Sequence, residues 1–220
     1  MSKYFRYGVI EDIKTVRRIP VGRFWGVRVL ITSYVWLGPF VFFGLHFVFN
    51  WLNPQVALPA RLYQAVLFTV AVQVAMFLHA FGHILSGKLV GSAMDELLIA
   101  STRDVNLYHG DQSQVPGRVH LGRALGGPVL NLVAAGVLFA LPVPPGWGAD
   151  LVTSVVTVNL FFGLGSFLPI RSVDGEVIWR EVLRGRQDYL EKRAKRASEA
   201  KFDAAMAKVA DVEPPDYDRL

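Results

Sequence analysis

Four stretches of this sequence contain no Asp, Glu, Lys or Arg: residues 29–60, 62–87, 124–149 and 151–170. Each is long enough to hold the roughly 20 apolar residues that a helix needs to cross the hydrocarbon layer of a bilayer. With 52% apolar residues in 220 and a mean hydropathy of +0.35, the chain carries more apolar surface than one soluble core takes up. The expectation is an all-α integral membrane protein with about four transmembrane helices, a small cytoplasmic β-hairpin and a charged C-terminal helix.

The distribution of charge orients those helices. The net charge is +5, and before residue 29 seven basic residues (Lys3, Arg6, Lys14, Arg17, Arg18, Arg23 and Arg28) face only Glu11 and Asp12. Residues 1–28 have no apolar core of the kind a cleaved signal peptide needs, so they are expected to be retained. The 88–123 connection and the 171–220 tail are also rich in Lys and Arg, whereas the two short connections hold only Arg61. The positive-inside rule then places both termini in the cytoplasm, and a prokaryotic inner membrane is the expected location. Basic charge beside a membrane helix, without a nucleic-acid-binding signature, is assigned to topology and anionic lipid headgroups rather than to nucleic acid. The chain has no cysteine, which excludes disulfides and a thiol nucleophile.

The spans are expected at residues 29–51, with a kink at Pro39, and at 62–86, 125–142 and 151–168, where Pro169 ends the last one. Tyr34, Trp36 and Trp51 are candidates for interfacial anchoring. Between the second and third spans, residues 96–101 and 105–109 are strand-like runs around a polar turn, a hairpin lying against the membrane. After Gly175 the composition becomes charged and Ala-rich, with apolar residues at helical spacing and a break expected near Gly185. This divides the chain into a basic segment (1–28), a transmembrane core (29–174) and a cytoplasmic tail (175–220).

Ionisable groups at membrane depth are expensive to keep and mark candidate functional sites. His79 and His83 lie four apart near the cytoplasmic end of the second span, so both imidazoles leave one helix face and can meet one metal ion. The pair alone fits hydrogen-bonded packing residues equally well. Asp174 follows the last apolar run, between Pro169 and Gly175, and the topology returns it to the depth of the histidines; its plainer role is a surface turn. Two histidines and a carboxylate, with a fourth position open to water, form the ligand set of a catalytic zinc site. In the third span Gly126, Gly127 and Pro128 precede Asn131, whose amide either bonds to a neighbouring helix or faces a substrate.

Three motifs in order resemble the site-2 protease family of intramembrane zinc metalloproteases: His79-Ala80-Phe81-Gly82-His83, Gly127-Pro128-Val129-Leu130-Asn131, and Ser166-Phe167-Leu168-Pro169 leading to Val173-Asp174-Gly175. The run from Gly22 to Val29 also resembles the approach to that family's first core helix, so the likeness covers residues 22–178. It implies Zn²⁺ on His79, His83 and Asp174, Asn131 near the scissile bond or its oxyanion, and single-pass membrane segments as substrates or clients. A substrate helix has to unwind before its carbonyls can be attacked, and a strand near residues 96–109 is a candidate to pair with it.

Ala80 stands where the family carries the glutamate that takes a proton from zinc-activated water and passes it to the leaving amine. A methyl group does neither, so the expectation is a protease scaffold that is inactive or strongly impaired, whether by engineering or by natural divergence. Glu176, which follows the ligand motif, is the candidate substitute carboxylate, with its orientation open. Ser166 and Ser172 depart from the family's Asn and Pro without touching a ligand. The rival readings are a non-catalytic membrane adaptor or complex subunit, and a bis-histidine haem or copper carrier in which Asp174 has no role.

Overall fold

The computed structural model describes residues 15–52 and 55–210. Lys3, Arg6, Glu11, Asp12 and Lys14 of the basic segment, and residues 211–220 of the tail, lie outside the described part.

The chain opens with an antiparallel hairpin, β1 (Arg18–Phe24) and β2 (Val27–Thr32), which turns through Trp25 and Gly26 at φ of 50° and 86°. Helices α1 (Leu37–Trp51) and α2 (Leu58–Leu89) follow, then β3 (Glu96–Ile99), β4 (Asp104–Leu107), α3 (Gly117–Phe139), α4 (Trp147–Gly165) and α5 (Asp174–Ala210). The strands form one sheet in the order β1-β2-β3-β4, with β2 and β3 parallel and β3 and β4 antiparallel. The parallel pair is possible because α1 and α2 carry the chain back between the two hairpins.

The expected hairpin is therefore half of a sheet, and the other half falls on residues assigned to the basic segment and to the first turns of a helix. Absence of charge does not distinguish a buried strand from a membrane helix, and Val-Arg-Val-Leu-Ile-Thr over β2 is rich in β-branched residues that suit a pleated surface. The first helix consequently starts at Leu37 instead of residue 29. Its 15 residues span about 22 Å, short of a bilayer core. Pro39 lies in its first turn, where a missing N–H breaks no bond, and not in mid-helix. Of the four expected spans, α2, α3 and α4 are long and apolar enough to cross a membrane. Helix α3 begins earlier than expected because Arg118 and Arg123 belong to it, and α5 continues through Gly185.

Helix α2 is the centre of the bundle and packs against α1, α3 and α4. Ala71, Val72, Ala75 and Met76 form a core with Val155 and Val158 of α4. Towards α3 the backbones themselves meet, since a Cβ on Gly82 would lie 2.3 Å from the Gly126 carbonyl oxygen. The sheet covers the last third of α2, where Val27, Met94 and Leu97 pack on Ala80 and Ile84. Phe40, Phe49, Phe77, Val133, Phe139 and Phe161 are exposed on the helices' outer faces, the surface that a lipid layer covers. The chain divides after Trp179 into one unit that holds sheet and bundle and a second, from Arg180, whose helix is rich in charge.

Candidate metal centre

The two histidines of α2 point into the bundle, and their orientation follows from a chain of hydrogen bonds that begins on α4. Asn159 donates from Nδ2 to the Val155 carbonyl at 2.8 Å, which leaves its Oδ1 as an acceptor. Asn131 donates from Nδ2 to that oxygen at 2.6 Å and to the Ala75 carbonyl at 3.0 Å, so the Asn131 Oδ1 is also an acceptor. This oxygen lies 2.7 Å from His79 Nδ1, which must therefore carry the proton. His83 Nδ1 in the same way donates to the Arg123 carbonyl at 2.8 Å. Both protons are thus on the Nδ1 side, and both Nε2 atoms present lone pairs.

Those lone pairs face each other at 3.1 Å, with the Asp174 Oδ2 at 2.9 Å from His79 Nε2 and 3.4 Å from His83 Nε2. Among the described residues these three offer ligand atoms that all lie within 4.8 Å of one another. Three electron-rich atoms aimed at one point repel unless a cation sits among them, so the donor set fits a divalent metal of the zinc type. Room for it comes from Gly127, where a Cβ would lie 2.6 Å from His79 Nε2 and from His83 Nε2. The partners on Nδ1 are those that commonly orient metal-binding imidazoles.

Asp174 reaches the histidines because the start of α5 is pressed against the end of α4. A Cβ on Gly175 would lie 2.0 Å from the Leu168 carbonyl oxygen, so only glycine allows this approach. The turn before it places Ser172 at φ 69°, a conformation closed to proline. Glu176 Oε2 accepts the Ser172 N–H at 2.8 Å, and Arg103 Nη2 donates to the Ser172 carbonyl at 2.6 Å, tying the β3–β4 turn to the Asp174 turn.

A cavity of about 430 Å³ opens on this cluster, lined by His79, Ala80, His83 and Asp174 on one side and by Arg103 and Asp104 of the hairpin on the other. Ala80 is buried and presents only its methyl group. Glu176 lies at the cavity with one oxygen occupied by the Ser172 N–H. Asn131 is fully buried and turned to His79, Ala75 and Asn159; it does not line the cavity. Asp104 does, and burial pushes its carboxyl up to about 7.

Three contributors carry little signal in the sequence. Asn159 is a single amide in an apolar span, although an amide at such depth needs a partner. Arg123 reads there as one more basic residue of the 88–123 connection. It lies over the Tyr108 ring at 4.1 Å, donates to the Ser92 carbonyl at 2.7 Å and offers its own carbonyl to His83. Asp104 was a turn residue between strands.

No family model and no curated protein matches the sequence. Among solved structures, the site-2 protease from Methanocaldococcus jannaschii is similar in fold, with a TM-score of 0.51 at 18% identity over 86% of this chain and 82% of that one.

Proposed function

We propose that this chain is a membrane-embedded metal-binding protein of the site-2 protease type, which holds Zn²⁺ on His79, His83 and Asp174 and takes single-pass membrane segments as substrates or clients. The observation that carries the reading is the convergence of two imidazole lone pairs and one carboxylate on a single point inside a helical bundle. The fold shared with a site-2 protease supports it. On this reading α1 joins the three longer helices in the membrane, and both termini face the cytoplasm.

A zinc ion in such a site supplies Lewis acidity and lowers the pKa of water. The protein's own part is to fix the two imidazoles by their Nδ1 bonds, bring Asp174 in from α5, and admit an unwound peptide. Strand β4 is an edge strand whose residues Asp104, Val105 and Asn106 line the cavity, so an extended segment pairing with that edge would lie along the cluster. Ala80 closes the usual route for proton transfer from α2. That same residue favours a second reading, in which the site grips a membrane segment without cutting it, as an adaptor would.

The test is cleavage of a synthetic single-pass peptide with Gly and Pro in its apolar segment, by zinc-loaded protein in lipid nanodiscs. Ala80→Glu is expected to cut it within the membrane segment. If the unsubstituted chain and Ala80→Glu both bind the peptide and leave it intact, the adaptor reading holds and the protease reading is overturned.

A further inference from the structure

The cavity that opens on the metal ligands has three carboxylates in its wall: Asp174, Glu176 and Asp104. Asp174 is committed to the histidines, and Glu176 is exposed and holds the Ser172 N–H. Asp104 is left. Its Oδ1 is shielded from solvent and has no hydrogen-bond partner, a costly state for a carboxylate oxygen that serves only the fold. A second cavity, of about 320 Å³, lies on the other flank between the sheet and α2, and Ala80 and Asp104 are in the walls of both. The hairpin therefore places a carboxylate in the walls of the same two cavities as the Ala80 methyl group, which stands where the site-2 protease motif has its acid. The other acidic residues of this region are occupied: Glu96 pairs with Arg28 at 3.0 Å, and Asp95 accepts the His109 N–H at 2.8 Å. The bond from Arg103 to the Ser172 carbonyl fixes the β3–β4 turn to the turn that delivers Asp174, so Asp104 and the metal ligands keep one geometry.

We infer that Asp104 is the proton-transfer residue of this site, supplied by β4 in place of the helix-borne glutamate that Ala80 replaces; this rests on the protease reading above. As the oxygen of an attacking water bonds to the peptide carbonyl carbon, Asp104 accepts the water's proton. As the C–N bond breaks, it returns a proton to the leaving nitrogen. One water is consumed, a carboxylic acid and an amine are formed, and Asp104 ends as it began. Asp104 stands outside the cluster of metal ligands, so its loss separates chemistry from metal binding.

The experiment compares the unsubstituted chain, Asp104→Asn, Ala80→Glu and the double variant in zinc-loaded nanodiscs with the same peptide. Zinc affinity of each is read by chelator competition. The unsubstituted chain is expected to cut. Asp104→Asn should lower cleavage by about 10²–10⁴ while zinc affinity stays within about threefold, and in the Ala80→Glu background the same change should cost less than about tenfold. Asp104→Ser, smaller and uncharged, should match Asp104→Asn, which guards against a folding defect in either. Equal cleavage with and without Asp104, or a loss of zinc affinity that parallels the loss of cleavage, overturns the inference. Cleavage by Ala80→Glu alone overturns it and leaves the protease reading standing, whereas zinc binding without cleavage in every form overturns both.

Discussion

Adding one methyl group at Gly127 tests the metal centre from its back wall. A Cβ there would lie 2.6 Å from His79 Cε1, His79 Nε2 and His83 Nε2, whereas carbon in van der Waals contact needs about 3.6 Å. About 1 Å has to be found. The rings cannot easily supply it, because their Nδ1 atoms are held at 2.7 Å by Asn131 and at 2.8 Å by the Arg123 carbonyl. Nor can the helices part cheaply, since α2 and α3 touch backbone to backbone at Gly82 and Gly126. Metal–ligand distances tolerate about 0.2 Å, so Gly127→Ala should weaken zinc binding at least as much as losing a ring-orienting partner, about 10–100-fold or about 1.4–2.7 kcal/mol. Chelator competition in detergent micelles measures it, with Gly136→Ala as control: Gly136 is on the same helix and has open space around its Cβ position. Zinc affinity in Gly127→Ala equal to that of Gly136→Ala would refute the placement of the metal between these imidazoles.

Asn131→Ala frees His79 Nδ1 and should lower zinc affinity about 10–100-fold, measured against Gly136→Ala in the same titration. Gly82→Ala forces a Cβ against the Gly126 carbonyl at 2.3 Å and should cost about 1–3 kcal/mol, read as a lower unfolding temperature than Gly44→Ala, whose added Cβ meets open space. The folded Asp104 carboxyl titrates at about 7 against 3.8 in the unfolded chain, so its contribution to stability is fully present below 3.8 and is lost as pH rises through about 7. In the metal-free protein the unfolding temperature, relative to Asp104→Asn, should therefore fall between pH 4 and pH 8, and a flat difference would contradict the burial of that carboxyl.

The long apolar helices α2, α3 and α4 were legible because they depend on long runs without charge, a property of composition that needs no knowledge of packing. The grouping of His79, His83 and Asp174 was legible because the two histidines share a helix face by spacing alone and Asp174 follows the last apolar helix. The N-terminal strands were not. Residues 27–32 pair locally with β1 and, from Arg28 to Glu96, with β3 across 68 positions of chain, and their uncharged run from Val29 reads equally well as the start of a membrane span. Asn159 and Arg123 acquire their roles through partners on other helices, and Asp104 through a hairpin folded back over α2. Such roles are set by tertiary placement and not by spacing along the chain.

The account rests on one ion shared by α2 and the start of α5, and X-ray absorption at the zinc edge, with metal analysis of the purified protein, tests it most directly. The predicted result is one zinc per chain bound by two imidazole nitrogens at about 2.0–2.1 Å and by carboxylate oxygen, and lost in Asp174→Ala. Zinc retained unchanged in Asp174→Ala, or no histidine nitrogen in its coordination sphere, would contradict it.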